Sequence, residues 1–352
     1  MSCRSITAAQ PDSKRCRHGC TTPCSRRACR HGVGLGVPQP PGSITMCKTG
    51  LTQKGNIMSQ SEKREEYDIA EGRLHLLISY YSQCMYMEEH QAIPDLKQIA
   101  QWENEKRSLM ALARALEFED QAAIAGINVT YGPVLRACKT LASTGSAPPY
   151  ELDKAEHDRL YTLIARDHLA CAEPQEKPMA IITGGQPGSG KGTLTAQAKQ
   201  EFATQGGYVL VDPNELRLSH PAYFELMSEN DREAADLTHS DASKWAKRLT
   251  SDAIEGRRNL IIDQTSKNAD SLVALTTRLS EAGYHVELRV MAVNPELSYL
   301  RTLLRYEAQK AQEGMGRFVP KNVHDAAYEG LPDSVEAVER AKSVHAVKVY
   351  RN

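Results

Sequence analysis

No stretch of this chain approaches the ~20 consecutive apolar residues that span a bilayer, and nothing near its start has the apolar core of a secretory leader. Membrane insertion and export are therefore not expected, and a cytoplasmic location is. An excess of either charge is missing too, with a formal net charge of −1 over 352 residues. That balance hides an asymmetry: residues 1–57 hold nine Lys or Arg against the single Asp12, which leaves the remainder at −9. Such an acidic remainder offers no basic groove, so no nucleic-acid partner is expected. Cysteine is sparse beyond the same stretch, since Cys3, Cys16, Cys20, Cys24, Cys29 and Cys47 are six of the nine. With His18 and His31 these supply the ligand types of a zinc site. The stretch nevertheless lacks apolar residues to orient ligands and is rich in Arg, Pro and Gly, the profile of a disordered tail. Residues 1–57 are read as that tail, and as sequence upstream of a natural start at Met58.

What is present is a phosphate-binding loop. The apolar run Met179–Thr183 reads as a short buried strand, and Leu194–Phe202, free of Gly and Pro, reads as a helix. Between them Gly185-Gln186-Pro187-Gly188-Ser189-Gly190-Lys191 gives the spacing G-x-x-x-x-G-K. In that context the glycines let backbone N–H groups turn around phosphate oxygens, and Lys191 supplies a full charge at the β- and γ-phosphates. ATP with Mg²⁺ is the expected ligand. The hydroxyl usual directly after the lysine is replaced by Gly192, with Thr193 one place later, so the metal is expected at Thr193 or through waters.

Residues 58–145 read as a small helical module. Glu65–Met87 carries Ile69, Leu74, Leu77, Ile78 and Tyr81 at helical spacing. Leu96–Phe118 follows the break at Ile93-Pro94-Asp95, and Gln121–Leu141 is expected to be interrupted at Gly126 and Gly132-Pro133. No cluster of His, Asp, Glu or Cys at catalytic spacing stands out, so a packing or partner-binding unit is expected, with His75 and Cys84 as ordinary packed residues. Ser143–Pro149 reads as a linker. In residues 146–352, further apolar runs at Tyr208–Val211, Asn259–Ile262, Val286–Val293 and Val347–Tyr350 alternate with amphipathic stretches. The pattern predicts an α/β fold, a parallel sheet with helices on both faces, preceded by the all-α module.

Ligands in such sheets sit at the carboxyl ends of the strands. Beyond the second run stand Asp212, Asn214, Glu215 and Arg217; beyond the third, Asp263 and Thr265; beyond the fourth, Arg305 and then Arg317 in a glycine-flanked loop. An acid ending a strand suits Mg²⁺, and arginines on a following segment suit the charge of a transferred phosphoryl group.

These residues carry a resemblance. The phosphate loop, Val211-Asp212, His220-Pro221, Ile262-Asp263-Gln264-Thr265, Ser298-Tyr299-Leu300, Arg305-Tyr306-Glu307, Arg317, Pro320-Lys321 and His324-Asp325 resemble the zeta toxin family of toxin–antitoxin kinases, from about Lys177 to the C-terminus. The resemblance implies a P-loop kinase that uses ATP and Mg²⁺ to phosphorylate the 3′-hydroxyl of UDP-N-acetylglucosamine and so block cell-wall synthesis. It implies that Lys191 holds phosphates, that Thr193 sits near the metal, that Arg305 and Arg317 clamp the triphosphate, and that Asp263 and Thr265 hold the sugar nucleotide. The family's catalytic Asp falls on Asn214, whose amide has no basic pKa near neutrality. Either Asp212 or Glu215 takes that role, or the acceptor differs, or activity is weakened to nucleotide binding alone. The family also implies an antitoxin, separate or carried in cis by the helical module.

Overall fold

The computed structural model describes residues 58–142 and 148–351. The tail and its zinc reading, and residues 143–147 of the expected linker, lie outside the described residues. Three helices come first: α1 (Gln60–Glu89), α2 (Leu96–Ala115) and α3 (Gln121–Ala142). Helix α1 starts where Ser59 and Glu62 exchange side-chain and backbone hydrogen bonds, which satisfies two orphan N–H groups at once. Asp95 caps α2 by accepting from the Lys97 and Gln98 amides. The interruption expected in α3 does not occur, and the helix runs through Gly126 and Pro133. Pro133 forfeits one backbone bond, while Gly132 leaves room for the guanidinium of Arg73, whose Cζ would lie 3.2 Å from a Cβ there.

The rest alternates strand and helix: α4 (Lys154–Leu169), β1 (Met179–Gly184), α5 (Lys191–Phe202), β2 (Val209–Val211), α6 (Pro213–Arg217), α7 (Tyr223–Asn230), α8 (Ala234–Leu237), α9 (His239–Glu255), β3 (Leu260–Asp263), α10 (Ala269–Glu281), β4 (His285–Ala292), α11 (Pro295–Glu313), α12 (Lys321–Ala341) and β5 (Ala346–Arg351). All five strands pair in parallel, in the order β2-β3-β1-β4-β5. β1 lies between β3 and β4, so the chain leaves it toward opposite sides, the switch point at which α/β sheets bind ligands. Register puts Thr183 opposite Asp263 and Val211 opposite Ile262, so the phosphate loop, Asp212 and Asp263 leave the sheet at one edge.

Apolar clusters fill both faces of the sheet. Ile182, Leu260 and Val286 pack with Trp245 and Leu249 of α9 and Leu279 of α10, and Ile181 and Ile261 pack with Phe202 of α5 on the other face. The helical module shares a core with the α/β part: Leu77, Tyr80, Leu109 and Leu135 join Leu218, Tyr223, Phe224, Met227 and Met315 in one buried cluster. Among the described residues no helix is long and apolar enough to cross a membrane.

Candidate active site

The phosphate loop leaves β1 at Gly184 and enters α5 at Lys191. Its conformation needs glycine at two positions in particular. Gly188 has φ +77°, and a Cβ there would lie 2.0 Å from the carbonyl oxygen of Ser298; Gly190, at φ +94°, caps α5 in the left-handed region. The loop is pinned from outside by Gln186, whose Nε2 donates to Val293 O (2.9 Å) and to Ser298 Oγ (3.1 Å). Ser298 Oγ in turn lies 2.8 Å from His324 Nε2, and His324 Nδ1 lies 3.1 Å from Asp325 Oδ1. Ser298 and His324 are fully buried, so this relay anchors the loop to α11 and α12 and presents no nucleophile.

Lys191 folds over the loop, its Nζ donating to Gly185 O (2.7 Å) and Gln186 O (3.3 Å). Burial holds its pKa below the usual lysine range, against the pull of Asp263 and Asp212. Those bonds to neutral carbonyls are what phosphate oxygens would replace, with a gain for a charged acceptor. Ser189 Oγ and Arg305 Nε, both buried, have no hydrogen-bond partner. A glycine-walled cradle with a lysine and an unpartnered arginine donor fits a triphosphate.

The acids sit at adjacent strand ends. Asp263 Oδ2 accepts from Thr195 Oγ1 (2.9 Å), one helical turn beyond Lys191 on the inner face of α5. Thr193, the hydroxyl expected at the metal, is exposed at the start of α5, and Thr195 is the one the structure joins to Asp263. Thr265 stands beside the loop and accepts the Gly185 amide through its carbonyl (3.4 Å). Asp212 caps α6: its Oδ1 accepts from the Asn214 amide (2.8 Å) and from Asn214 Nδ2 (3.0 Å). Asn214 Oδ1 accepts from Arg217 Nη1 (2.9 Å), so the residue at the expected base position bridges Asp212 and Arg217. Burial, then the nearby charge of Asp263, pushes the Asp212 carboxyl up to about 7. An acid so tuned is a better base at neutrality than an ordinary aspartate.

Arg305 and Arg317 come together over the same edge. Burial, then the charge of Arg317, lowers Arg305 to about 10. Helix α1 of the module faces both. Burial would raise the Glu71 carboxyl, but the charges of His75, Arg317 and Arg305 hold it below the usual range. Asp68, raised by burial, also feels Arg64 and Arg305. Glu71 and His75 line a narrow cleft with Asn214, Arg217, Tyr223 and Arg317. His75 is half-buried on the cleft wall. Asp68, Glu71 and His75 went unnoticed as a group, although their i, i+3, i+7 spacing places them on one helix face.

The module is tied down by buried polar contacts. Arg73 Nε lies 2.6 Å from Glu313 Oε1, with side chains 8% and 2% exposed. Lys139 reaches the same carboxylate (3.2 Å) and the Glu313 carbonyl. Ser82 Oγ donates to Leu218 O (2.8 Å), and Lys106 Nζ to Ser219 Oγ (3.1 Å).

The family model described as Zeta toxin matches residues 164–352. The chain is 33% identical over 177 residues to Toxin PezT of Streptococcus pneumoniae, covering 50% of this chain and 69% of that protein. It is 31% identical over 176 residues to Toxin zeta of Enterococcus hirae, covering 50% of this chain and 61% of that one. A solved structure from the PezAT chromosomal toxin–antitoxin system of Streptococcus pneumoniae superposes with a TM-score of 0.51 at 28% identity, over 58% of this chain and 80% of its own. With more than half its length matched by the family model, on the residues that build the phosphate loop and both strand-end acids, this chain belongs to the zeta toxin family.

Proposed function

We propose that the chain is an ATP-dependent phosphotransferase acting on the hydroxyl of a small molecule, held inactive by its own N-terminal helices. The observation that carries the reading is the convergence of Lys191, Asp212, Asp263, Arg305 and Arg317 at the mouth of one glycine-walled loop. Lys191 and the loop amides bind the β- and γ-phosphates, while Arg305 and Arg317 neutralise charge on the transferred phosphoryl group. Asp263 and Thr195 are the residues that would hold Mg²⁺, which would supply positive charge against the phosphates. Asp212 takes the proton from the attacking hydroxyl through Oδ2, which accepts no hydrogen bond, while Asn214 fixes Oδ1. General-base assistance of this kind contributes ~10²–10⁴-fold.

The acceptor we propose is UDP-N-acetylglucosamine, in the cytoplasm, with loss of that precursor halting cell-wall synthesis. Support comes from family membership, and from Arg217 and Arg317 beside the apolar Leu218, Tyr223 and Met227 in the cleft, a lining that suits an anionic sugar nucleotide. Helix α1 brings Asp68 and Glu71 to the arginines that would otherwise meet phosphate, so the helices act as an antitoxin in cis. Covalent linkage keeps such an inhibitor at high effective concentration, and a separate antitoxin is then dispensable.

The test is ADP release by the full chain with ATP, Mg²⁺ and UDP-N-acetylglucosamine, beside Arg73→Ala, which loosens α1. Acceptor-dependent ADP release that rises in Arg73→Ala supports the reading. ATP binding with no turnover in either protein, unrescued by Asn214→Asp, would replace it with a nucleotide-binding interaction protein.

A further inference from the structure

Arg305, Gln309 and Glu313 recur every four residues along α11 and so share the face that meets α1. Glu313 takes the Arg73 and Lys139 contacts. Gln309, buried between the two helices, makes two hydrogen bonds of a different kind. Its Nε2 donates to the backbone carbonyl of Asp68 in α1 (2.8 Å), and its Oε1 accepts from the backbone amide of Arg317 (2.9 Å). Only this orientation of the carboxamide matches donor to carbonyl and acceptor to N–H. At Gly72 of α1 a Cβ would lie 2.7 Å from Gln309 Nε2.

We propose that Gln309 is a positioning residue that ties the seat of α1 to the backbone of Arg317. While α1 is seated, the Asp68 carbonyl fixes the carboxamide, and the carboxamide fixes Arg317. When α1 lifts, Nε2 loses its acceptor and Oε1 its fixed direction, so Arg317 is freed in the same event that uncovers it. The helix thus restrains this arginine as well as covering it. The adjacent Gly316 amide is held by Asp231 Oδ2 instead (3.0 Å) and stands outside the coupling. The consequence for phosphate rests on the role given to Arg317 in the proposed function; the coupling itself does not.

The test is residue-resolved hydrogen exchange on the full chain and three variants. Gly72→Ala puts a methyl group where the end of the Gln309 side chain lies, and it also favours the helical state of α1. The expected result is exchange at the Arg317 amide faster by roughly fivefold, the scale of one hydrogen bond, with α1 and Gly316 unchanged. Gly126→Ala, on α3 with nothing within 4 Å of its Cβ, is the control and leaves Arg317 as it was. Gln309→Glu sets a carboxylate oxygen against the Asp68 carbonyl, so the side chain loses its anchor on α1, and the amides of residues 67–76 and the Arg317 amide exchange faster together. Unchanged Arg317 exchange in Gly72→Ala overturns the proposal. So does equal acceleration in Gly126→Ala. If Gly72→Ala does not fold, Gln309→Glu decides, and exchange at the Arg317 amide that stays unchanged while residues 67–76 exchange faster, or no change at either, then overturns it. Absence of ADP release with the coupling intact would remove the kinase reading and leave this inference standing.

Discussion

Arg73→Ala tests whether the module is held by a buried charge or only by apolar contact. The Glu313 side chain is 2% exposed and the Arg73 side chain 8% exposed, so removal of the guanidinium strands a carboxylate that Lys139 alone must answer. Breaking a buried pair from one side costs ~3–5 kcal/mol, chiefly the desolvation of the charge left behind. Arg73 also donates to the backbone and side-chain oxygens of Asn128 (both 3.0 Å), so α1 loses these bonds to α3 as well, while Asn128 Nδ2 still donates to Glu66. For a chain of this size the cost corresponds to a fall in melting temperature on the order of 10 °C. Thermal melting of the full chain reads it. Lys154→Ala is the internal comparison: that lysine is 92% exposed in its pair with Asp158, and such pairs contribute ~0–1 kcal/mol. The double variant Arg73→Met, Glu313→Leu replaces the pair by apolar groups and should regain most of the loss. A shift in Arg73→Ala no larger than in Lys154→Ala, or a double variant no better than the single, would refute the reasoning.

Gly188→Ala should abolish ATP binding with little loss of melting temperature, because a Cβ 2.0 Å from the Ser298 carbonyl pushes the loop off α11 without touching the sheet core; equilibrium dialysis with ATP checks it. Gly126→Ala should raise stability by about 0.5–1 kcal/mol, since the position is helical, exposed and open, and urea unfolding reads this. Turnover should fall as pH drops through about 7, where Asp212 takes up its proton. The folded state holds that proton more tightly than the unfolded one, so the ionised carboxyl costs stability as pH rises from the ordinary aspartate range to about 7. Asp212→Asn should therefore melt above the wild type at pH 8, with the difference vanishing toward pH 4.

Much of the fold was legible because strands buried on both faces read as unbroken apolar runs. Met179–Thr183 and Asn259–Ile262 each announce a strand within a residue or so of its observed bounds. The phosphate loop was legible for the same reason that it works: few other local structures demand glycine at that spacing. Helix boundaries at proline were not. Helix α3 passes through Pro133, and α12, which begins at Lys321, passes through Pro332. A proline costs one hydrogen bond, and the tertiary contacts along a long helix outweigh it. That Thr195 rather than Thr193 meets Asp263 required the direction in which α5 faces the sheet, which motif spacing does not carry. The roles of Asp68, Glu71 and His75 required knowing that α1 lies across the edge of a sheet more than a hundred residues away in sequence, information that only the shared core of Leu77, Tyr80, Phe224 and Met315 supplies. That core also means that deleting the module would expose Leu218, Tyr223 and Phe224. Loosening it by substitution is the cleaner perturbation.

The central claim is tested most directly by acceptor-dependent ADP release in an Arg73→Ala background, measured alone and with Lys191→Ala or Asp212→Asn added. The account predicts turnover with UDP-N-acetylglucosamine that exceeds the wild-type chain, vanishes in Lys191→Ala and falls ~10²-fold or more in Asp212→Asn. Turnover that survives Lys191→Ala, or that is indifferent to Asp212→Asn, would contradict it.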